Sequence, residues 1–294
     1  MPTQQTLQQI TPHVYWFSPD SATDRPALGV VVGERATLLV DAGNSPAHVQ
    51  ALLAALDERG IPSPSYLVLT HWHWDHVFGA ATLNLPTFAH LETRRIMRAM
   101  ARLDWGDEAL DQRVEAGREI AFCRDMIKAE LPDRSALVIQ PPEIGFEGEI
   151  ELDLGGITCV FAHVGGDHAH DSTVVLVREE GVLFLGDCFY DDIYHGPKRL
   201  TTRQLFPLLD RLLRYQAECY IGGHDPEPIA AARFQADAAQ LMGIGAAVDR
   251  IGDNPEMVRC TLPEHLGRPL MPDDLEIADA FLAGLRMPEV KPVL

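Results

Sequence analysis

Ten residues, Leu67 to His76 (LVLTHWHWDH), constrain this chain more than any other stretch. An apolar run ending in Thr70 reads as a buried strand, and four side chains of the metal-binding kind, His71, His73, Asp75 and His76, crowd the six residues after it. On one helix His71 and His73 would diverge, because residues two apart share no face. The pattern is therefore not a helical His-Glu-x-x-His motif; a turn beyond a strand tip aims such residues inward instead. Imidazole and carboxylate donors suit zinc, and also iron or manganese.

The rest of the chain repeats this arrangement of apolar strand followed by polar cluster. Val14 to Phe17 reads as an edge strand, and Leu28 to Val32 with Thr37 to Val40 as a hairpin ending in Asp41-Ala42-Gly43-Asn44. Ser45-Pro46 opens a helix to about Arg59, with Ser45 as cap and Pro46 as first helical residue. A short strand is expected at Thr87 to Ala89. Between about residues 92 and 132 the pattern turns helical (Ile96, Met100, Leu103, then Val114, Gly117, Ala121), an insertion that serves either as a lid or as packing. Strands are then predicted at Leu137 to Ile139, Glu149 to Leu154, Ile157 to Ala162, Thr173 to Val177 and Val182 to Leu185. Two of these runs lead into Gly165-Gly166-Asp167-His168-Ala169-His170-Asp171 and Gly186-Asp187. A helix from about Thr202 to Gln216 precedes the strand Cys219 to Ile221, which ends in Gly222-Gly223-His224-Asp225. Helical spacing returns from Pro226 to about Ile251, and the proline-bearing tail holds one further helix, Asp273 to Leu285. Gly243-Ile244-Gly245 lies within a helical pattern and so is no dinucleotide loop.

Charge and cysteines narrow the function. The 294 residues carry 24 Lys and Arg against 43 Asp and Glu, a net charge of −19. Such a surface disfavours both nucleic acid and anionic lipid, whose binding rests on Lys and Arg. The five cysteines, Cys123, Cys159, Cys188, Cys219 and Cys260, form no Cys-x-x-Cys pair, so neither a thiolate metal knuckle nor a disulfide framework is indicated. The opening residues lack a basic and an apolar region, and no apolar run reaches the roughly 18 residues of a membrane span, so a reduced cytoplasmic location is expected. The partners expected are a small-molecule substrate and, at most, further copies of the same chain, with no nucleic acid and no membrane.

Strand tips are where an α/β fold places a site, so the distant clusters can converge at one rim. In order and context the chain resembles the metallo-β-lactamase superfamily, from about Tyr15 to Asp225. The matching residues are Asp41 in LLVDAG, His71, His73, Asp75 and His76 in THWHWDH, His168 in GGDHAH, Asp187 in FLGD and His224 in IGGHD. The resemblance implies a single α/β domain over residues 1–294. Its fold would be a four-layer αββα sandwich with two mixed β-sheets, a helical insertion at about 92–132 and a helical tail at about 255–294. It further implies that His71, His73 and His168 hold one metal, that Asp75, His76 and His224 hold a second, and that Asp187 bridges both. Seven ligands exceed the four of a tetrahedral zinc, which agrees with two divalent ions, zinc foremost. Asp41 would support the ligand loops from behind.

Such a centre implies a metal-dependent hydrolase of a small ester, thioester or lactone. A bridging hydroxide would be the nucleophile, and Asp75 would orient the water or accept its proton. Two divalent ions less the charges of Asp75, Asp187 and hydroxide leave +1, a cationic pocket in an anionic protein. Tyr190, three residues past Asp187, would either polarise a carbonyl, as in lactone-hydrolysing members, or pack at the rim. Departures from the family pattern are Asp167 before the ligand His168, and His170 two residues after it, which reaches the site or lies on the surface. Asp187 in place of Cys, with no export signal, argues against a secreted antibiotic-degrading enzyme. Cys188 should point the opposite way, into the core. His13, His48, His90, His163, His195 and His265 match no motif and are read as structural or exposed. The alternative on the same scaffold is a mononuclear iron oxidoreductase of the persulfide dioxygenase kind, keeping His71, His73, His168 and Asp187. A phosphodiesterase or nuclease ranks below it because of the charge.

Overall fold

Strands that are apolar at nearly every position need cover on both faces, and Leu28–Val32, Thr37–Val40, Thr173–Val177 and Val182–Gly186 are of that kind. In the computed structural model, which describes residues 5–194 and 196–286, a second sheet covers one face and helices the other.

The first sheet takes seven strands in chain order: β1 (Leu7–Gln9), β2 (Val14–Phe17), β3 (Leu28–Val32), β4 (Thr37–Val40), β5 (Tyr66–Val68), β6 (Thr87–His90) and β7 (Ile144–Phe146). It is mixed, antiparallel from β1 to β4 and parallel from β4 to β7. The parallel pairs need crossovers. These are α1 (Pro46–Glu58), the single turns α2 (Trp74–Val77) and α3 (Ala80–Leu83), and then α4 (Leu91–Met100), α5 (Asp107–Glu115) and α6 (Ala121–Glu130). The second sheet holds β8 (Glu149–Asp153), β9 (Thr158–His163), β10 (Thr173–Val177), β11 (Val182–Gly186), β12 (Cys219–Gly222) and β13 (Ile229–Ala230), ordered β13-β12-β11-β10-β9-β8. It too is mixed: only β11 and β12 run parallel, joined by α7 (Thr202–Arg214). After β13 come α8 (Ala231–Ile251), α9 (Pro255–Leu266) and α10 (Asp274–Arg286). Among the described residues no helix is long and apolar enough to cross a membrane.

Period-two alternation sorts the side chains into three cores. Val14, Val31, Leu38, Val40 and Val68 meet Phe161, Val175, Phe184 and Ile221 between the sheets. Val30, Leu39, Leu67 and Leu69 face α1 and the inserted helices instead. Val174, Leu183, Leu185 and Tyr220 face α7, α8 and α10. Each fully buried Leu or Val contributes roughly 1.5–3 kcal/mol. Ser45 caps α1 as expected, accepting from His48 N at 3.0 Å, with Pro46 in the first turn.

Several local expectations differ from what is observed. Leu137 to Ile139 is irregular: Ile139 is buried while Val138 is 59% exposed, and Pro141 and Pro142, which follow, have no N–H to give a ladder. The strand that pairs with β6 is Ile144–Phe146. The insertion is three helices, because the apparent spacing through Gly117 crosses a chain reversal with φ of +65° there. The tail has a second helix, α9, that its prolines concealed; Pro255 stands in the first turn behind the cap Asn254. The helix expected from Pro226 starts at Ala231, since Ile229 and Ala230 pair with β12.

Candidate metal centre

β4 and β5 run parallel, and β9, β11 and β12 share one direction across β10. Their C-terminal ends therefore bring Asp41, the His71–His76 segment, His168, Asp187 and His224 to one rim. His71 and His73 stand on the loop after β5, while Asp75 and His76 lie on the single turn α2. The two pairs thus stand on different local backbone, and Asp75 and His76 fall in a different donor set from His71 and His73.

Two donor sets result. The ligating atoms of His71, His73 and His168 lie within 4.8 Å of one another, and so do those of Asp75, His76, Asp187 and His224. Within the first, His168 Nε2 is 2.9 Å from His73 Nδ1. Within the second, Asp75 Oδ2 is 3.1 Å from Nε2 of both His76 and His224. Asp187 Oδ2 joins them: it is 3.4 Å from Nε2 of His76, His168 and His224, and 4.0 Å from His71 Nε2.

The ring nitrogens facing away fix the tautomers. Asp41 Oδ2 accepts from His76 Nδ1 at 2.8 Å, which leaves Nε2 as the ring nitrogen turned to the centre. The Thr70 hydroxyl donates to Asp41 Oδ2 at 2.9 Å and accepts at 3.0 Å from His71 Nδ1, which frees Nε2 of that ring too. His168 Nδ1 donates to the Asp191 carbonyl at 2.9 Å. Asp41 also accepts from Thr70 N at 2.7 Å and holds a left-handed φ of 63°, rare for a residue other than glycine. His71 Nε2, His76 Nε2 and Asp187 Oδ1 are buried with no hydrogen-bond partner in the protein. Buried polar atoms are seldom left so, and unpartnered ring nitrogens beside a buried carboxylate fit a cation.

The electrostatics agree. Burial holds His71 and His73 well below the ordinary imidazole pKa, reinforced by neighbouring histidines, so both are neutral as ligands must be. For His76 burial works the same way but is outweighed by Asp75, Asp187 and Asp41, which hold it well above. Asp187 is held well below the usual carboxylate range: burial opposes this, and His76 and His224 overcome it. A cation entering the second set competes with protons for those nitrogens. Close approach is possible because a Cβ on Gly223 would stand 2.0 Å from Asp187 Oδ1 and 3.0 Å from His76 Cε1.

A cavity of about 220 Å³ opens over both sets, lined by Asp24, Phe122, Cys123, Tyr190, Asp191, Ile193, Tyr194 and Lys198 besides His73, Asp75, His168, Asp187 and His224. The insertion thus reaches the site through α6. Tyr194 packs over His73, ring centroids 4.9 Å apart, and meets Cys123 Sγ at 3.3 Å. Tyr190 lines the cavity, but its hydroxyl donates to Asp225 at 2.9 Å and accepts from His224 N at 3.1 Å, so in this geometry it braces the His224 loop. Asp167 accepts from Thr201 N and Oγ1, both at 2.7 Å, anchoring the His168 loop to the cap of α7. His170 is exposed, and its carbonyl accepts from His163. Cys188 is buried in the α7 and α8 core. His13 bonds the Val32 carbonyl, His48 is buried beside Gln5, His90 stacks on His163 and His265 bonds within α9; none reaches the centre. His195 lies outside the described residues.

Asp24 is the acid no motif announced. It sits in a turn before β3, its Oδ1 3.6 Å from His224 Nδ1, with burial and then Asp75 pushing its pKa up to about 7. A lone Asp in the run Ser21-Ala22-Thr23-Asp24 carries no signal beyond that of a turn.

The sequence matches the family described as the Metallo-beta-lactamase superfamily over residues 24–224. It is 26% identical over 232 residues to a lactamase-like protein of Pestalotiopsis microspora, covering 76% of this chain but only 58% of that relative's length. Among solved structures it is similar to a metallo-beta-lactamase family protein of Thermus thermophilus, with a TM-score of 0.59, 19% identity and 93% of each chain covered. A metallo-beta-lactamase from Pontibacter korlensis gives a TM-score of 0.55 and 18% identity, over 80% of this chain and 98% of that one. At these identities the structural likeness speaks for the fold alone.

Proposed function

The chain belongs to the metallo-β-lactamase superfamily, and on that premise we propose that it is a hydrolase with two divalent metal ions, zinc foremost, acting on a small ester, thioester or lactone. The observation that carries the reading is the place of Asp187 Oδ2, 3.4 Å from Nε2 of His168 in one donor set and of His76 and His224 in the other. His71, His73 and His168 would hold one ion, Asp75, His76 and His224 the other, with Asp187 shared. Two such ions supply, when bound, a water acidic enough to lose a proton near neutral pH and positive charge for a developing oxyanion.

The protein's own groups do the rest. Asp75 is buried yet lines the cavity, and although burial opposes it, His76 and then His224 hold its carboxyl well below the usual range. An ionised acceptor there orients a water and takes its proton. Tyr190 acts by positioning, since its proton is engaged with Asp225. Tyr194, Phe122 and Ile193 give the mouth apolar walls, which exclude water from a small acyl group. The cavity of about 220 Å³ and the net charge of −19 both support a small substrate over a polyanion.

The test is metal content of untreated protein, followed by ester, thioester, lactone and phosphodiester substrates with the metal found. His73→Ala should lower the metal content and abolish turnover. Wild-type rates in that variant overturn the reading. So does one iron per chain with oxygen consumption on a persulfide.

A further inference from the structure

Three of the clustered histidines present Nε2 to the centre and have Nδ1 fixed by an oxygen: His71 by Thr70, His76 by Asp41, His168 by Asp191. His224 is the fourth. Its Nε2 lies 3.1 Å from Asp75 and 3.4 Å from Asp187, and its Nδ1 faces Asp24 Oδ1 at 3.6 Å. We infer that Asp24 is a positioning residue, whose carboxylate faces the Nδ1–H of His224 across 3.6 Å as an ion-pair partner and so aims Nε2 at the second ion. This rests on the dinuclear reading above.

Need and fitness both point to Asp24. The His224 side chain is 29% exposed, against 6% or less for His71, His76 and His168, so packing enforces its orientation least. Ligating histidines commonly give their second N–H to a carboxylate, and that partner matters most where nothing else holds the ring.

The turn bearing Asp24 is built to present it. Asp20 and Arg25 close the turn by reciprocal backbone bonds of 2.9 Å. Glu130, at the end of α6, accepts from Thr23 Oγ1 at 2.5 Å and from Arg25 at 2.8 Å, while Asn44 Nδ2 donates to the Thr23 carbonyl at 2.8 Å. Held at both ends, Asp24 takes a left-handed φ of 59°, a conformation that glycine would adopt at less cost. Strain of this kind, kept where the surroundings over-determine it, marks a position where the side chain itself is used. The inserted helices thereby reach the second donor set, through Glu130 and the turn.

Asp24→Asn tests the assignment, because Asn keeps the shape and also tolerates a positive φ. Full-length protein stripped of metal is titrated with cobalt(II), following heat and the visible absorption of the bound ion. Wild type should bind two equivalents. In D24N one ion should bind as in wild type and the other roughly 10–100-fold more weakly, with an altered spectrum. Asp24→Gly, which relieves the backbone, should weaken the same ion while leaving the metal-free melting temperature unchanged or raised. Two ions bound with wild-type affinity in D24N, or an equal weakening of both, overturns the role of Asp24 and leaves the dinuclear reading standing. One equivalent in wild type overturns both.

Discussion

Replacing Asp41 probes how the centre is held without touching a ligand. Asp41 is 3% exposed and accepts three hydrogen bonds, from Thr70 N at 2.7 Å, Thr70 Oγ1 at 2.9 Å and His76 Nδ1 at 2.8 Å. Alanine leaves two buried N–H groups without an acceptor, each worth about 1–3 kcal/mol. It also puts a less tolerant residue at a φ of 63°, at roughly 1–2 kcal/mol more, for a total of about 3–8 kcal/mol. That approaches the whole stability of many domains, so Asp41→Asn is the sharper variant. Its amide nitrogen cannot sit where Oδ1 sits, because the Thr70 backbone N–H has no other role to take. Placed instead at Oδ2, it donates to His76 Nδ1 and moves that ring's proton onto Nε2, the ligand atom. The Thr70 hydroxyl turns to accept from the amide and donates to His71 Nδ1, reversing the second ring as well. The fold should survive at a cost of about 2 kcal/mol, while metal affinity falls roughly 10–100-fold. Urea unfolding of metal-free protein and a cobalt titration measure the two terms separately. Wild-type affinity in D41N would refute the tautomer argument.

Three other outcomes are expected. Gly223→Ala puts a methyl 2.0 Å from Asp187 Oδ1, so it should lose metal from a chain that remains folded by circular dichroism, at about 1–3 kcal/mol; full occupancy counts against the packing argument. Glu130→Ala strips the acceptor from Thr23, Arg25 and Ser45 and should cost about 3–5 kcal/mol in chemical denaturation, whereas a loss below about 1 kcal/mol means Glu130 does not tie α6 to the Arg25 turn and the cap of α1. His48 is buried and neutral, its pKa pushed down to about 3 by burial. The unfolded ring gains a proton below about 6.5, so the stability present above that pH is lost as pH falls toward 3, about 3 kcal/mol between pH 7 and pH 4. His48→Gln should remove that loss, and an unchanged difference between the two proteins at pH 7 and pH 4 would contradict the assignment.

What could be read in advance depended on how local the cause was. His71, His73, His168, Asp187 and His224 each follow an apolar run, and a strand tip determines where such a residue points. The layering of two sheets between helices came from the family resemblance those motifs carry, not from the apolar runs themselves. Asp24 could not be found that way: its φ and its distance to His224 are set by Glu130, 106 positions further along the chain. Ile144–Phe146 is three residues long and becomes a strand only by pairing with β6. Asp167 looked anomalous because its partner, Thr201, belongs to a helix cap formed far downstream. Tyr190 drew attention by spacing alone, which says nothing of the Asp225 carboxylate that engages it.

The layer between the two sheets sets a gap as well as a core. His71, His73, Asp75 and His76 ride on one sheet, and His168, Asp187 and His224 on the other, so the width of the apolar filling fixes how far apart the two groups of donors stand. Trimming Phe161 or Phe184 would thus act like closing a calliper. The damage would surface as mismatched donor spacing at the rim, far from the residue changed.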